Sequence, residues 1–303
     1  MNALVIGYGS IGQRHTRLLR DMGIKVSVVS KRFPQDGIFF NSLSTALQSK
    51  AYDYVIIANE TSAHIEALQE VLNSDCRGTI LVEKPLFSKN ESITLNGSKV
   101  FVAYNFRFHP LIIQLKGMLQ NERVLSVNAY VGQYLPSWRP STDYTKCYSA
   151  SRQQGGGVLR DLSHELDYLT LLFGQWQALH ATTTKISSLE IDSEDYVQVS
   201  YVTHKNTHIS VELNYIDRIS QRYLVVHTDH KTIKIDFINH YINVNGEVTE
   251  LDKIDRDYTY IEQHKSILRG SLCSCSFAEG IEVVNMIEAV EKSSLLKEWV
   301  YNE

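Results

Sequence analysis

One turn near the start constrains this chain more than anything else in it. A run of small and branched apolar residues, Ala3-Leu4-Val5-Ile6, breaks into Gly7-x-Gly9-x-x-Gly12, and an amphipathic stretch, QRHTRLLRDMG, follows at once. Apolar strand, glycine turn and helix, in that order, form the context a dinucleotide-binding fingerprint requires. Gly7 permits the tight turn, Gly9 lets the backbone approach a pyrophosphate, and Gly12 lets the helix sit close to the strand. The main-chain N–H groups of Ser10, Ile11 and Gly12 then point at the phosphates, and the helix dipole favours their negative charge. The plain alternative is a glycine-rich turn that binds nothing.

The next hundred residues repeat the alternation. Apolar strand-length runs lie at 24–30, 53–58, 79–83 and 99–104, and Ile65, Leu68 and Leu72 mark a helix over 62–72. Strands alternating with helices give a doubly wound parallel sheet, whose ligands bind outside the carboxyl ends of the strands. That rim gathers Gly7–Gly12, Ser30–Arg32, Ala58–Thr61 (with Asn59), Glu83–Pro85 and Asn105–Arg107. An NAD site places Asp or Glu at the end of the second strand to bind the ribose 2′-hydroxyl. Here the chain reads Ser30-Lys31-Arg32 instead. A hydroxyl and two cations attract a 2′-phosphate that a carboxylate would repel, so NADP(H) is expected over NAD(H). Otherwise Lys31 and Arg32 are solvated loop charges.

After Arg107 the pattern changes. A helix is expected over 111–119 and a strand over 124–131, followed by β-rich runs at 196–203, 207–215, 222–228 and 232–238. Asn245-Gly246 between INV and EVT marks a hairpin. The expected fold is α/β: a Rossmann domain over 1–104, then an α+β domain over 105–303 with an open, mostly antiparallel sheet. The last helix, 277–291, is expected to return toward the first domain.

Two segments look chemical. Glu83-Lys84-Pro85 puts a lysine where the sheet rim would meet a cofactor, and Pro85 fixes the direction of the chain there. Gly155-Gly156-Gly157 opens an amphipathic helix to Gly174, with Leu159, Leu162, Leu166, Leu169 and Phe173 on one stripe. Asp161, His164, Glu165 and Tyr168 fall on the other side. Asp161 and His164 are three apart, so a carboxylate can orient an imidazole for proton transfer; a solvated polar face is the alternative. Between strand and helix, residues 133–154 are dense in Tyr, Trp, Arg and Ser. Aromatic faces with hydroxyl and guanidinium donors suit a sugar ring or an anion, which makes Arg107, Tyr134, Trp138, Arg139 and Tyr148 substrate-binding candidates. A loop packed on its own aromatics reads equally well.

Composition excludes several classes. A net charge of −4 with no basic stripe argues against a nucleic-acid partner. No apolar run reaches the ~20 residues of a membrane helix, and the first residues lack a secretory pattern. Four scattered cysteines fit a reduced, cytoplasmic protein, and Cys273-x-Cys275 has no second pair or nearby histidine at ligand spacing, so no metal is expected.

GYGSIG, then EKP, then YNFRFHP, then GGG-x3-D-x2-H occur here in order over nearly the whole chain. The sequence therefore resembles the Gfo/Idh/MocA oxidoreductases, the family of glucose–fructose oxidoreductase, inositol 2-dehydrogenase and the rhizopine-catabolism proteins. The resemblance implies that Lys84 lies beside the nicotinamide and the substrate hydroxyl, with Asp161 and His164 completing the site and His164 exchanging the proton. Many members space that pair Asp-x3-His, whereas this chain has Asp-x2-His. The segment Asn59-x-Thr61-x-x-His64 is also shared and is implied to pass near the nicotinamide. The resemblance further implies a sugar-like substrate and a homo-oligomer, dimer or tetramer, formed through the second sheet. It leaves open an NAD-dependent glycosidase and a non-catalytic dinucleotide-sensing regulator.

Overall fold

The computed structural model describes residues 1–31, 37–138, 142–271 and 273–302; Arg32 and Arg139 lie outside them. Along the chain run β1 (Asn2–Ile6), α1 (Ser10–Asp21), β2 (Lys25–Val29), β3 (Ile38–Phe40), α2 (Leu43–Ser49), β4 (Tyr54–Ile57), α3 (His64–Asn73), β5 (Thr79–Val82) and β6 (Val100–Val102). There follow α4 (Pro110–Met118), β7 (Val124–Gly132), α5 (Leu135–Trp138), α6 (Val158–Asp161), α7 (His164–Phe173), β8 (Trp176–Thr184), β9 (Tyr196–Thr203) and β10 (His208–Asn214). The chain continues with β11 (Gln221–Thr228), β12 (Thr232–Asp236), β13 (Tyr241–Val244), β14 (Glu247–Glu250), α8 (Tyr258–Leu268), β15 (Cys275–Ser276), α9 (Phe277–Leu296) and β16 (Val300–Tyr301). It divides into two compact units, Met1–Asn105 with Asp257–Val284, and Phe106–Arg256 with Asn285–Glu303, so the division passes through α9.

The first unit is a seven-stranded sheet in the order β15-β6-β5-β4-β1-β2-β3. All pairs are parallel except β15 with β6. From β3 to β6 this is the doubly wound order with its reversal between β1 and β4, where such sheets open a ligand crevice. β1 and β4 are apolar and almost wholly buried, as strands covered on both faces must be. One core cluster joins Val5, Leu19, Val28, Ile56, Leu81 and, from α8, Ile267. Thus α8, unmarked by any clear periodicity, belongs to this unit.

The second unit is a nine-stranded sheet, β14-β13-β12-β11-β7-β10-β9-β8-β16. It is antiparallel throughout except for the parallel pair β7–β10. Burial alternates along β9 and β12, as it does in a sheet with one covered face. The hairpin β13–β14 turns at Asn245 and Gly246, both at positive φ (52° and 99°), the geometry of a two-residue hairpin turn.

The single helix read over the glycine-led segment is two: α6 ends at Asp161 and α7 begins at His164, with Leu162 and Ser163 between them. The apolar stripe is buried as expected, but Glu165, Asp167 and Tyr168 are also fully buried, so the opposite side is no solvated face.

Candidate active site

In the first unit the candidate cofactor residues gather at the turn after β1. Gly7 sits at φ +99°, and a Cβ there would lie 2.5 Å from the Ala58 carbonyl oxygen, so only glycine lets the turn press against the end of β4. A Cβ at Gly12 would run into the Gly7 carbonyl, backbone against backbone, which is how helix and strand come so close. Gly9 is different: a Cβ there would meet no atom within 4 Å. The space above it is open. Gly9 is also the N-cap of the twelve-residue α1; no side chain caps that end, and no acidic residue occupies the first turn. Uncapped N–H groups, the positive end of the dipole and a cleared approach together fit the pyrophosphate of a dinucleotide.

The neighbouring strand ends complete the rim. Asn59 donates from Nδ2 to the Ala63 carbonyl (3.2 Å), and Thr61 is buried in the short 3₁₀ turn that leads into α3. His64, also buried, places Nδ1 3.0 Å from the Leu86 carbonyl oxygen and 3.2 Å from that of Pro85. Burial pushes its pKa down, so the ring is a neutral brace on the chain just past Lys84. The Lys84–Pro85 peptide is cis. Glu83 accepts the Lys84 main-chain N–H at Oε2 (3.1 Å) and is bound at Oε1 by His15 (2.8 Å). Burial opposes its charge, but the His15 hydrogen bond and the positive charge of Lys84 outweigh it, and Glu83 titrates below the usual range. At the end of β6, buried Asn105 donates to Thr259 of α8 (3.0 Å). At the end of β2, the Ser30 N–H is held by the Phe40 carbonyl, and Lys31 is exposed.

In the second unit the candidate residues gather around α6 and α7. Gly157, at φ +118°, starts α6 where a Cβ would strike the Glu194 carboxylate. That carboxylate accepts the Leu159 N–H (3.2 Å), and burial raises its pKa. Asp161 accepts a 2.6 Å hydrogen bond from the hydroxyl of Tyr215, a buried residue just after β10. Burial and the Asp161 charge hold that hydroxyl protonated far above its ordinary range.

His164 opens α7, and the motif YNFRFHP supports it. The Phe106 ring lies against the His164 ring (centroids 5.7 Å apart) and also meets His109, Tyr168 and Phe237. Arg107 is buried in an ion pair with Asp167 of α7, with contacts of 2.7, 3.0 and 3.1 Å. Arg222 of β11 grips Glu165 with two hydrogen bonds (2.7 and 2.9 Å) and stacks on Phe106 at 3.7 Å. Two buried carboxylates on one helix are thus each matched by an arginine, and the face carrying His164 is fixed in orientation. Arg107 therefore lies beneath α7 in an ion pair; it is not presented at an open surface.

The aromatic loop falls partly on this half. The Trp138 ring meets the Tyr215 ring edge-on at 5.1 Å, and Tyr148 lies within electrostatic range of both Tyr215 and Arg160. The Arg218 guanidinium covers Tyr134 at 3.6 Å. Ser193 Oγ donates to the Ser149 carbonyl (2.7 Å) and Asp192 accepts the Arg152 N–H (2.7 Å), which tie the loop to the strand-linking segment. Tyr215 and Glu194, which carry Asp161 and the start of α6, were not marked by any sequence pattern. Among the described residues no cluster of histidine, cysteine, aspartate and glutamate could hold a metal ion.

Comparison with known proteins fits both halves. Residues 1–95 match the model of an oxidoreductase family with an NAD-binding Rossmann fold, and residues 113–234 match that of the GFO/IDH/MocA C-terminal domain. The chain belongs to the GFO/IDH/MocA oxidoreductase family. It is accordingly an NAD(P)-dependent oxidoreductase by family. A search of curated proteins gives no match. Solved structures share the fold over the full length. GenD2 of gentamicin A biosynthesis, in complex with NAD, is 18% identical, with 100% of this chain and 96% of that one covered and a TM-score of 0.83. Levoglucosan dehydrogenase with NADH is 18% identical, with 99% and 98% covered and a TM-score of 0.84. The WlbA dehydrogenase of Bordetella pertussis, with NADH and UDP-GlcNAcA, is 17% identical, with 99% and 98% covered and a TM-score of 0.80. No helix among the described residues is long and apolar enough to cross a membrane.

Proposed function

We propose that this oxidoreductase interconverts a secondary alcohol and a ketone on a sugar, cyclitol or nucleotide-sugar derivative, and that it prefers NADP(H). The observation that carries the reading is the open, uncapped start of α1 above Gly9. When bound there, the dinucleotide supplies the hydride acceptor or donor. The roles left to the protein fall on Lys84, His164 and Asp161. In the oxidative direction His164 takes the hydroxyl proton, and the Lys84 ammonium stabilises the negative charge that develops on that oxygen. Asp161, steadied by the Tyr215 hydroxyl, binds a second hydroxyl or orients the imidazole. Tyr134, Trp138 and Tyr148 present aromatic and hydroxyl surface to a sugar ring, a contribution that Arg139 would extend to an anionic group. Arg107 acts through Asp167, and His64 through the chain at Pro85.

The sugar-like substrate is supported by the levoglucosan and UDP-GlcNAcA complexes of proteins with this fold. The NADP(H) preference is supported by Ser30 and Lys31, which stand at the end of β2 where an NAD site would have a carboxylate. We further propose a cytoplasmic homo-oligomer that pairs through the half-exposed face of the nine-stranded sheet. Initial rates with NADPH and NADH against a panel of sugars, inositols and nucleotide sugars test the activity. A higher kcat/KM with NADPH is expected, falling toward the NADH value in Lys31→Glu. Better use of NADH by the wild type would overturn the preference, and no turnover on any member of the panel would overturn the substrate class. Light scattering that gives the mass of one chain would remove the oligomer.

A further inference from the structure

Behind the cofactor rim, four buried polar side chains from four separate elements form one line. Tyr54, the first residue of β4, places its hydroxyl 3.0 Å from Nδ1 of His264 in α8. His264 Nε2 is 2.9 Å from Nδ1 of His15, in the second turn of α1. His15 Nε2 is 2.8 Å from Oε1 of Glu83, and Glu83 Oε2 accepts the main-chain N–H of Lys84. Tyr54, His15 and His264 are fully buried and Glu83 is 8% exposed. A core of this kind costs stability unless every polar atom in it is matched.

The line can be matched in only one direction while Glu83 is ionised and His15 is neutral. A carboxylate only accepts, so His15 donates from Nε2. A neutral ring has one donor, so His15 Nδ1 accepts, and His264 must donate to it from Nε2. His264 Nδ1 then accepts, and the Tyr54 hydroxyl donates. The surroundings of Tyr54 and His264 agree. Burial and the Glu83 charge keep Tyr54 protonated, and burial keeps His264 neutral. The His15 hydrogen bond keeps Glu83 charged against the cost of its burial.

We propose that Tyr54, His264 and His15 are positioning residues: a one-way chain of hydrogen bonds that holds the Glu83 carboxylate in a single orientation on the Lys84 main chain, and thereby sets the lysine for hydride-transfer chemistry. This rests on the reading of Lys84 as the group that stabilises the reacting oxygen. The line also links α1, whose start receives the phosphates, to the segment that carries the lysine, through a histidine contributed from α8.

Ring-nitrogen NMR on histidine-labelled protein tests the line directly. His15 and His264, assigned by His15→Gln and His264→Gln, should each be a neutral ring protonated at Nε2 near neutral pH. Glu83→Gln keeps the shape, but with its oxygen on the Lys84 N–H its amide donates to His15, so both rings should shift toward Nδ1–H; Tyr54→Phe leaves the Glu83 anchor in place and both rings protonated at Nε2. With a turning-over substrate, Tyr54→Phe should lower kcat by about three- to tenfold, the weight of one buried hydrogen bond, and leave the dinucleotide Kd within about twofold. An Nδ1–H or doubly protonated ring at either position in the wild type would overturn the proposal. So would unchanged tautomers in Glu83→Gln, or losses of dinucleotide affinity in Tyr54→Phe as large as those in kcat, the mark of a scaffold alone. The tautomers decide the matter whether or not a substrate has been found. Wrong tautomers in an active enzyme remove the relay alone; a fully active Lys84→Ala removes the assigned role of the lysine and leaves the ring assignments standing.

Discussion

Alanine at position 9 should leave the fold intact and weaken dinucleotide binding. Gly9 lies at φ −72° and ψ −172°, an extended conformation open to any residue, and an added Cβ meets nothing within 4 Å. Two small effects bear on stability. Loss of unfolded-state freedom favours alanine by about 0.4–1 kcal/mol, and alanine is a poorer N-cap than glycine by a similar amount. They offset, so Gly9→Ala should unfold within about 1 kcal/mol of the wild type. The methyl would occupy the approach to the pyrophosphate, where overpacking costs about 1–3 kcal/mol. That is a loss of roughly 5- to 150-fold in affinity. Gly12→Ala is the control with the opposite balance. Its Cβ meets the Gly7 carbonyl, which is main chain and cannot swing aside, so α1 must move off β1 and the first unit should lose about 1–3 kcal/mol. Calorimetry gives the stabilities, and the fluorescence of reduced nicotinamide on titration gives the affinities. Gly9→Ala protein that binds NADPH as tightly as wild type, or that unfolds as easily as Gly12→Ala, would refute the assignment of this turn.

Three further outcomes concern the second unit, which holds all three tryptophans (Trp138, Trp176 and Trp299), so that tryptophan fluorescence reports its unfolding alone. Arg222→Met strands the fully buried Glu165 and should cost about 3–5 kcal/mol in urea unfolding, most of it recovered in Arg222→Met/Glu165→Gln; an unchanged midpoint would contradict the buried ion pair. Burial, with His240 and Arg222 nearby, lowers the pKa of His109 from 6.5 to about 3. The unfolded chain therefore binds a proton that the folded one refuses, and stability falls as pH drops from 6.5 toward 3, by about 3 kcal/mol near pH ~4.5. Asparagine at 109 can still accept the Leu111 N–H that His109 Nδ1 accepts at 3.2 Å, and it does not titrate, so His109→Asn should flatten that slope by one proton. Tyr215→Phe should lower kcat by about tenfold or less while the unit stays folded, since it frees only the Asp161 carboxylate; wild-type kinetics would detach Asp161 from the reaction.

What could be read from the chain, and what could not, follows from how far apart the interacting residues lie. The Rossmann half is written locally: three glycines, runs of Val and Ile, and helices at regular spacing place Gly7–Gly12, Ala58–Thr61 and Glu83–Lys84 on one rim. β3 is only three residues long and α2 reads LSTALQS, too short and too polar to stand out. The segment YTYIEQHKSIL looks β-prone from its Tyr, Thr and Ile, yet it forms α8, because packing on the first unit's core outweighs a weak propensity. In the second unit the apolar stripe is buried as read, and burial of Glu165 and Tyr168 removes the alternative of a solvated polar face. Nothing local distinguishes a solvated Glu165 or Asp167 from a buried one. Their arginines lie 57 and 60 residues away, and the tyrosine that holds Asp161 lies 54 away. The break at Leu162–Ser163 was hidden because the stripe continues across it. The YNFRFHP motif could be recognised but not explained; only the fold shows Phe106, Arg107 and His109 supporting α7 and α4.

In the proposed mechanism Lys84 and His164 act on the substrate and not on the cofactor's affinity or the fold. Parallel measurement of NADPH binding and of turnover in Lys84→Ala and His164→Ala tests it most directly. Both variants should bind NADPH within a few-fold of wild type and lose about 10²–10⁴ in kcat. Normal turnover in either one would show that the residue takes no part in the reaction.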